Sequence, residues 1–528
     1  MLIMRGCVRS AKKLTCLRNG NLGFGFFLSR RWVSNSSGEE DRSSSGKRFA
    51  ALWGNGDYGR LGLGSLESQW RPAFCSAFAN ESLTGIACGG AHTLFLTETG
   101  CVYATGLNDF GQLGISDDKS YTILKTVEHR TSTVAWNKNA QEPLKVSRLP
   151  KEIIKVSAGY HHSSAITGDG ELYMWGKNSN GQLGLGKKAA KVVTAPRKVE
   201  CLTGVTIKMA ALGCEHSIAV TDKGEALSWG GGGSGRLGHG HERSMLGFLM
   251  STSEYTPRLI KKLEDVKVKS IAAGMLHSAC IDENGSVFIF GEKAVDKLGQ
   301  QAKNATTPSM ISQLPFSEEV ACGGYHTCVL TSGGELYTWG SNENGCLDVS
   351  HLPERVQGPF LKHPVFQVSC GWKHTAAISE GNVYAWGWGG SHGTFSEDGY
   401  SSGGQLGQGN DVDYIEPTRI NFGKNVKALQ VSCGFNHTET QKKRMKLCKN
   451  LPYRVRPVLI AYGWPHTRWK QTYSGTKQCA PCLKFTAIKV VPIKFAPTLS
   501  ASSDSVVVHE ASHFDPCILT ILLPTTKG

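Results

Sequence analysis

Seven histidines recur at one place in a repeated phrase: His92, His162, His216, His277, His326, His374 and His437 each follow a glycine by three residues and precede Ser or Thr. Imidazole is a common metal ligand, but successive members lie 48 to 70 residues apart. One histidine per repeat points instead to hydrogen bonding at the start of a strand. The run Gly54-x-Gly56-x-x-Gly59 fits a dinucleotide fingerprint, yet it occupies the same slot as Gly176-Lys-Asn-Ser-Asn-Gly181 and opens no helix, so it reads as a turn. Cys479-x-x-Cys482 has no second pair at zinc-finger spacing, and His239-Gly-His241-Glu242 sits in a long loop. Neither is expected to hold a metal. Four cysteines, Cys88, Cys322, Cys370 and Cys433, take a slot held by Ala158 in another repeat and read as small buried residues. The chain carries no phosphate loop, zinc-protease helix or nucleophile elbow. No catalytic residue, cofactor or metal is therefore expected, and the chain reads as a non-enzyme.

The elements that place these residues follow from the repeat. After each Gly-x-x-His comes an apolar strand, a Gly-centred turn, a second strand ending in an aromatic residue and Gly, and a turn closing with Leu-Gly, as in His162–Thr167, Gly168-Asp-Gly170 and Glu171-Leu-Tyr-Met-Trp175. The turn needs positive φ, which glycine supplies. Small sheets of this kind cannot bury both faces alone, and stacking them radially gives a β-propeller. Seven copies predict seven blades. The chain opens with an unpartnered second half at Trp53 and ends its repeats with an unpartnered first half at His437, so the last blade is expected to join the two.

Composition agrees. Sixty of the 63 glycines precede residue 439, a turn-rich body well above the ~7% average. The net charge of +15 suggests nucleic acid until it is located. Residues 1–38 hold seven bases and no acid, residues 439–528 hold fourteen bases and four acids, and the body between them carries −2. A basic body that grips phosphates is excluded. No run of about 18 apolar residues exists to insert in a membrane. The seventeen cysteines lack the paired spacings of a secreted disulfide scaffold.

Residues 1–38 comprise a transit peptide and the start of a linker: acid-free, rich in Arg, Lys, Leu and Ser, and ending near Arg30-Arg31-Trp32. They predict import into the mitochondrial matrix, with plastid import as the competing reading. Residues 39–48 read as flexible linker, 49–438 as the propeller and 439–528 as an irregular basic tail.

The phrase Gly-x-x-His-Thr…Gly-x-Val-Tyr-x-Trp-Gly-x-Asn-x-x-Gly-Gln-Leu-Gly, nearly intact at residues 159–184, resembles the repeat of the regulator of chromosome condensation family of seven-bladed propellers. The resemblance covers residues 49–438 and is strongest in layout to the plant mitochondrial branch. It implies a scaffold for organellar RNA metabolism: intron splicing of mitochondrial transcripts, with respiratory-complex or ribosome biogenesis beside it. Partners would then be mitochondrial proteins of RNA processing or ribosome assembly, with RNA contacted indirectly. Two alternatives stand. The founding, chromatin-bound member is a guanine-nucleotide exchange factor for a small GTPase, and loops at 239–255 and 389–403 are candidate wedges for that activity. Direct RNA binding is the other. A light-sensing role, which the family's ultraviolet-B photoreceptor builds from recurring Gly-Trp-x-His-Thr, is not expected, because that motif occurs once, at Trp372.

Two places depart from the pattern. Leu-Gly is followed by Pro after 12 residues at Gly184 and after 10 at Gly407, but after 29 at Gly114, so an insertion falls at about 122–141. It mixes bases with aromatics, which suits RNA stacking, although a solvated loop is the stronger expectation. After His437-Thr438 an apolar strand is due and Glu-Thr-Gln-Lys-Lys-Arg follows instead. A retained intron or alternative gene model gives such a switch, with a basic RNA-binding extension as the competing reading, and it predicts a ring that fails to close.

Overall fold

Strands dominate the computed structural model, which describes residues 48–115, 122–127, 134–240, 253–292, 305–340, 352–390, 403–423 and 426–444. Residues 1–47, Cys479, Cys482, most of the two wedge-candidate loops and residues 445–528 lie outside the described residues. The strands form seven antiparallel sheets, six of four strands and one of five. The protein is a seven-bladed β-propeller.

Blade 1 runs outward through Leu83–Cys88, His92–Thr97, Val102–Leu107 and Val134–Lys145. Blades 2 to 6 begin at Ile153–Ala158, Ile207–Leu212, Val268–Ala273, Ser317–Cys322 and Val365–Cys370, each strand pairing with the next in sequence. In blades 1 to 6 the second strand, which starts at the repeat histidine, is buried along its whole length. That is why it reads as an unbroken run of apolar and small residues rather than as an alternation. The third strand brings a large ring to the blade interface: Trp53, Trp175, Trp229, Trp339 and Trp386 are fully buried, and Phe290 holds the same place in blade 4. Trp175 of blade 2, for example, packs with Leu94, Val102, Leu113 and Val146 of blade 1 and its closing turn. The glycine after the aromatic is needed because the backbone passes close by. Gly176 has φ +106°, and a Cβ there would lie 2.6 Å from the His161 carbonyl oxygen.

Blade 7 takes Val426–Cys433 and His437–Arg444 from one end of the repeats and Arg48–Gly54 and Gln69–Phe74 from the other. Its register runs from Gly54 opposite His437 to Arg48 opposite Lys443. The polar run after Thr438 therefore forms a strand and the ring closes, against the expectation of a break. The free edge of Arg48–Gly54 is satisfied by backbone hydrogen bonds, which any extended partner supplies. The cost falls on the side chains. Glu439, Gln441 and Lys442 are buried where other blades carry residues such as Leu94, Leu96 and Thr97.

The insertion is also ordered differently from a solvated loop. Thr122–Val127 pairs with Val134–Lys145, with Thr122 opposite Asn139 and Val127 opposite Val134, and adds a fifth strand to blade 1. Its β-branched and aromatic content, Thr122, Ile123, Thr126, Val127, Val134 and Trp136, favours a hairpin.

Candidate functional site

The seven histidines stitch neighbouring blades together. Nε2 of His92, His162, His216, His277, His326, His374 and His437 lies 2.8–3.1 Å from the hydroxyl of Ser163, Ser217, Ser278, Thr327, Thr375, Thr438 and Thr93 respectively, one bond per interface around the ring. In five interfaces the hydroxyl donates its own proton to a backbone carbonyl, as Ser163 does to Gln112 at 2.8 Å. It must then accept from the imidazole, which fixes the Nε2–H tautomer. Burial holds the rings neutral: His92, His162, His326 and His374 are pushed down to about 3 and His277 to about 4. These groups build the scaffold, as the repeat spacing suggested.

Each Gly-x-x-His turn also ends an innermost strand, and the seven turns surround the mouth of an axial cavity of about 160 Å³. Two residues separate the glycine from the histidine, and the first of them lines this mouth in every blade. Trp372 of blade 6 stacks on Phe435 of blade 7, with ring centroids 4.2 Å apart and planes 12° from parallel. Trp388 meets Trp372 edge-on at 5.9 Å. From Phe435 the line continues to Tyr160 at 5.3 Å, to His161 at 4.3 Å and to Phe110 at 4.8 Å. Six rings thus form one arc across the mouth. Blades 1 and 5 make room for it with paired glycines, since a Cβ on Gly90 would strike the Tyr160 ring and one on Gly324 would strike the Trp372 indole.

Cations flank the arc. Lys373 Nζ lies 4.8 Å from the centre of Trp372 and 5.6 Å from that of Trp388, while Lys177 Nζ lies 5.3 Å over Phe110 and 3.9 Å from a Glu215 carboxylate oxygen. Burial lowers His161 to about 4, so it adds a neutral ring. The Trp372 indole N–H has no hydrogen-bond partner among the described residues. The arc offers π faces, an amide-seeking donor and two ammonium groups, a chemistry of docking rather than of bond cleavage.

Sequence reading singled out Trp372 but treated it against its repeat slot alone. Phe435, Trp388 and Phe110 were missed, because they join it through blade adjacency. The available signal was the pairing of Gly89-Gly90 and Gly323-Gly324 with a bulky residue at the same position one blade later, Tyr160 and Trp372.

The family model for the RCC1-like domain matches residues 50–439. The chain is 33% identical over 389 residues to the ultraviolet-B receptor UVR8 of Arabidopsis thaliana, covering 72% of this chain and 78% of that protein. It is 31% identical over 346 residues to the mitochondrial RCC1 domain-containing protein RUG3 of the same plant, covering 62% of this chain and 72% of that one. Among solved structures, Prp20p of Saccharomyces cerevisiae, described with its binding to Gsp1p and histones, superimposes with a TM-score of 0.61 at 23% identity over 76% of this chain and 93% of Prp20p.

Proposed function

Since the chain belongs to the RCC1-like domain family, we propose that it is a non-enzymatic scaffold of the mitochondrial matrix that supports organellar RNA metabolism by holding protein partners. The site that carries this reading is the aromatic arc from Trp388 to Phe110, on a propeller body whose charge is −2. Large aromatic rings are among the groups that dominate protein–protein hot spots, while a near-neutral body offers little to a run of phosphates. Likeness to mitochondrial RUG3 and the acid-free basic segment at residues 1–38 support the address. Splicing of particular mitochondrial transcripts, or assembly of respiratory or ribosomal particles, is the process served.

Affinity capture from isolated mitochondria, with wild-type protein and a Trp372→Ala/Phe435→Ala variant, tests this directly. The wild type is expected to retain RNA-processing or ribosome-assembly proteins that the variant loses, with RNA recovered only through them. Nucleotide release from a mitochondrial GTPase accelerated by the purified propeller would replace this reading with that of an exchange factor. Tight, salt-sensitive binding of bare RNA to residues 39–438 would replace it with direct recognition.

A further inference from the structure

At every blade interface the fold brings three positions together: the repeat histidine, the residue two places later on the same strand face, and the last residue of the next blade's innermost strand. The second and third are pairs such as Leu94 with Ala158 or Ala376 with Cys433, which pack as core, while between blades 7 and 1 they are Glu439 and Cys88. Between blades 5 and 6 the same positions hold two thiols beside an imidazole. The ligand atoms of His326, Cys328 and Cys370 all lie within 4.8 Å of one another, the one such group of His, Cys, Asp or Glu among the described residues.

We infer that His326, Cys328 and Cys370 form a binding site for Zn²⁺ between blades 5 and 6, beside the axial cavity that Cys370 lines. Soft thiolates with imidazole select d¹⁰ cations of this kind. Charge selects the divalent ion: each thiol releases its proton to solvent on binding, and two thiolates with one dication leave the buried site neutral, whereas a monovalent ion leaves it negative. Zn–S bonds of about 2.3 Å and Zn–N bonds of about 2.0 Å set donors roughly 3.5 Å apart, within reach of small side-chain rotations.

The surroundings fit. Beside the pair, the Cys328 Sγ lies 3.3 Å from the Thr338 hydroxyl. His326 Nε2 already lies 2.8 Å from the Thr375 hydroxyl, a contact that an ion bound at that nitrogen would replace. Cys370 lines the axial cavity, which gives the ion an entry path.

Cobalt(II) titration of the reduced full chain reports the site by thiolate-to-metal absorption and its displacement by Zn²⁺. One Co²⁺ per chain is expected. The absorption is expected to vanish in Cys328→Ala and in Cys370→Ala and to persist in Cys479→Ser/Cys482→Ser, which removes the tail thiols. Alanine already occupies the matching slots at Ala279 and Ala158, so both variants should keep the wild-type melting temperature without metal. No thiolate absorption, absorption unchanged in Cys328→Ala and Cys370→Ala, or a Cys328–Cys370 disulfide in the chain as isolated would overturn the site.

Discussion

His437 and Thr93, 344 residues apart, meet with the imidazole Nε2 3.0 Å from the hydroxyl oxygen, and this contact completes the circle of histidine bonds. The Thr93 hydroxyl donates onward to the Arg60 carbonyl at 2.8 Å, so one side chain ties blade 1 to both halves of blade 7.

Removing that hydroxyl should therefore be costly. Thr93→Val keeps the shape and strands two buried groups, and is expected to lower stability by about 1–3 kcal/mol. Thermal denaturation beside a surface control checks it, and a shift no larger than the control's counts against the bond.

The histidine circle should make the protein acid-labile. These rings titrate near 6.5 when unfolded, and burial pushes His92, His162, His277, His326 and His374 to about 3 or 4 when folded and lowers His216 and His437 as well. The unfolded chain thus binds more protons between those values. The contribution is complete above pH ~6.5 and is lost as pH falls toward 3, by about 1.4 kcal/mol per pH unit for each histidine in that window. Urea midpoints from pH 7 to pH 4 are expected to fall steeply; flat midpoints would contradict the buried neutral rings.

The closing strand should be improvable. Burial raises the Glu439 carboxyl well above its usual range, with its Oε2 3.9 Å from the Cys88 thiol, and lowers the Lys442 ammonium, set against Phe422, to about 6. Other blades place Ala279 or Ala376 and Thr97 or Thr167 at these two positions. Glu439→Ala with Lys442→Thr is expected to raise the melting temperature by several degrees, because it removes two ionisable groups that burial forces into their neutral forms at a cost. Differential scanning calorimetry decides it.

Deleting residues 1–34 should leave the protein in the cytosol. Imaging of a C-terminal fluorescent fusion with and without the segment checks the address, and mitochondrial signal from the shortened form would refute it.

Blade number was readable because the repeat carries its own packing: the histidine ties to the next blade, the aromatic fills the interface and the glycine admits it. Three features were hidden. The strand His437–Arg444 has the wrong side chains for its place, and only the waiting edge of Arg48–Gly54 makes it a strand. The added strand Thr122–Val127, paired to Val134–Lys145, falls outside the repeat, so no second copy marked it. Trp372 and Phe435, 63 residues apart, are neighbours only once the blades are set in order around the axis.

The pairing of Arg48 with Lys443 also sets a timetable. A chain emerging from a ribosome, or threading through an import pore from its N-terminus, presents Arg48–Gly54 hundreds of residues before its partner. That edge must wait, and non-local closure of this kind is slow. Six blades can form as the polypeptide arrives, but the seventh cannot. Until the last strand is released, the nascent propeller exposes an unpaired edge to chaperones or to other copies of itself.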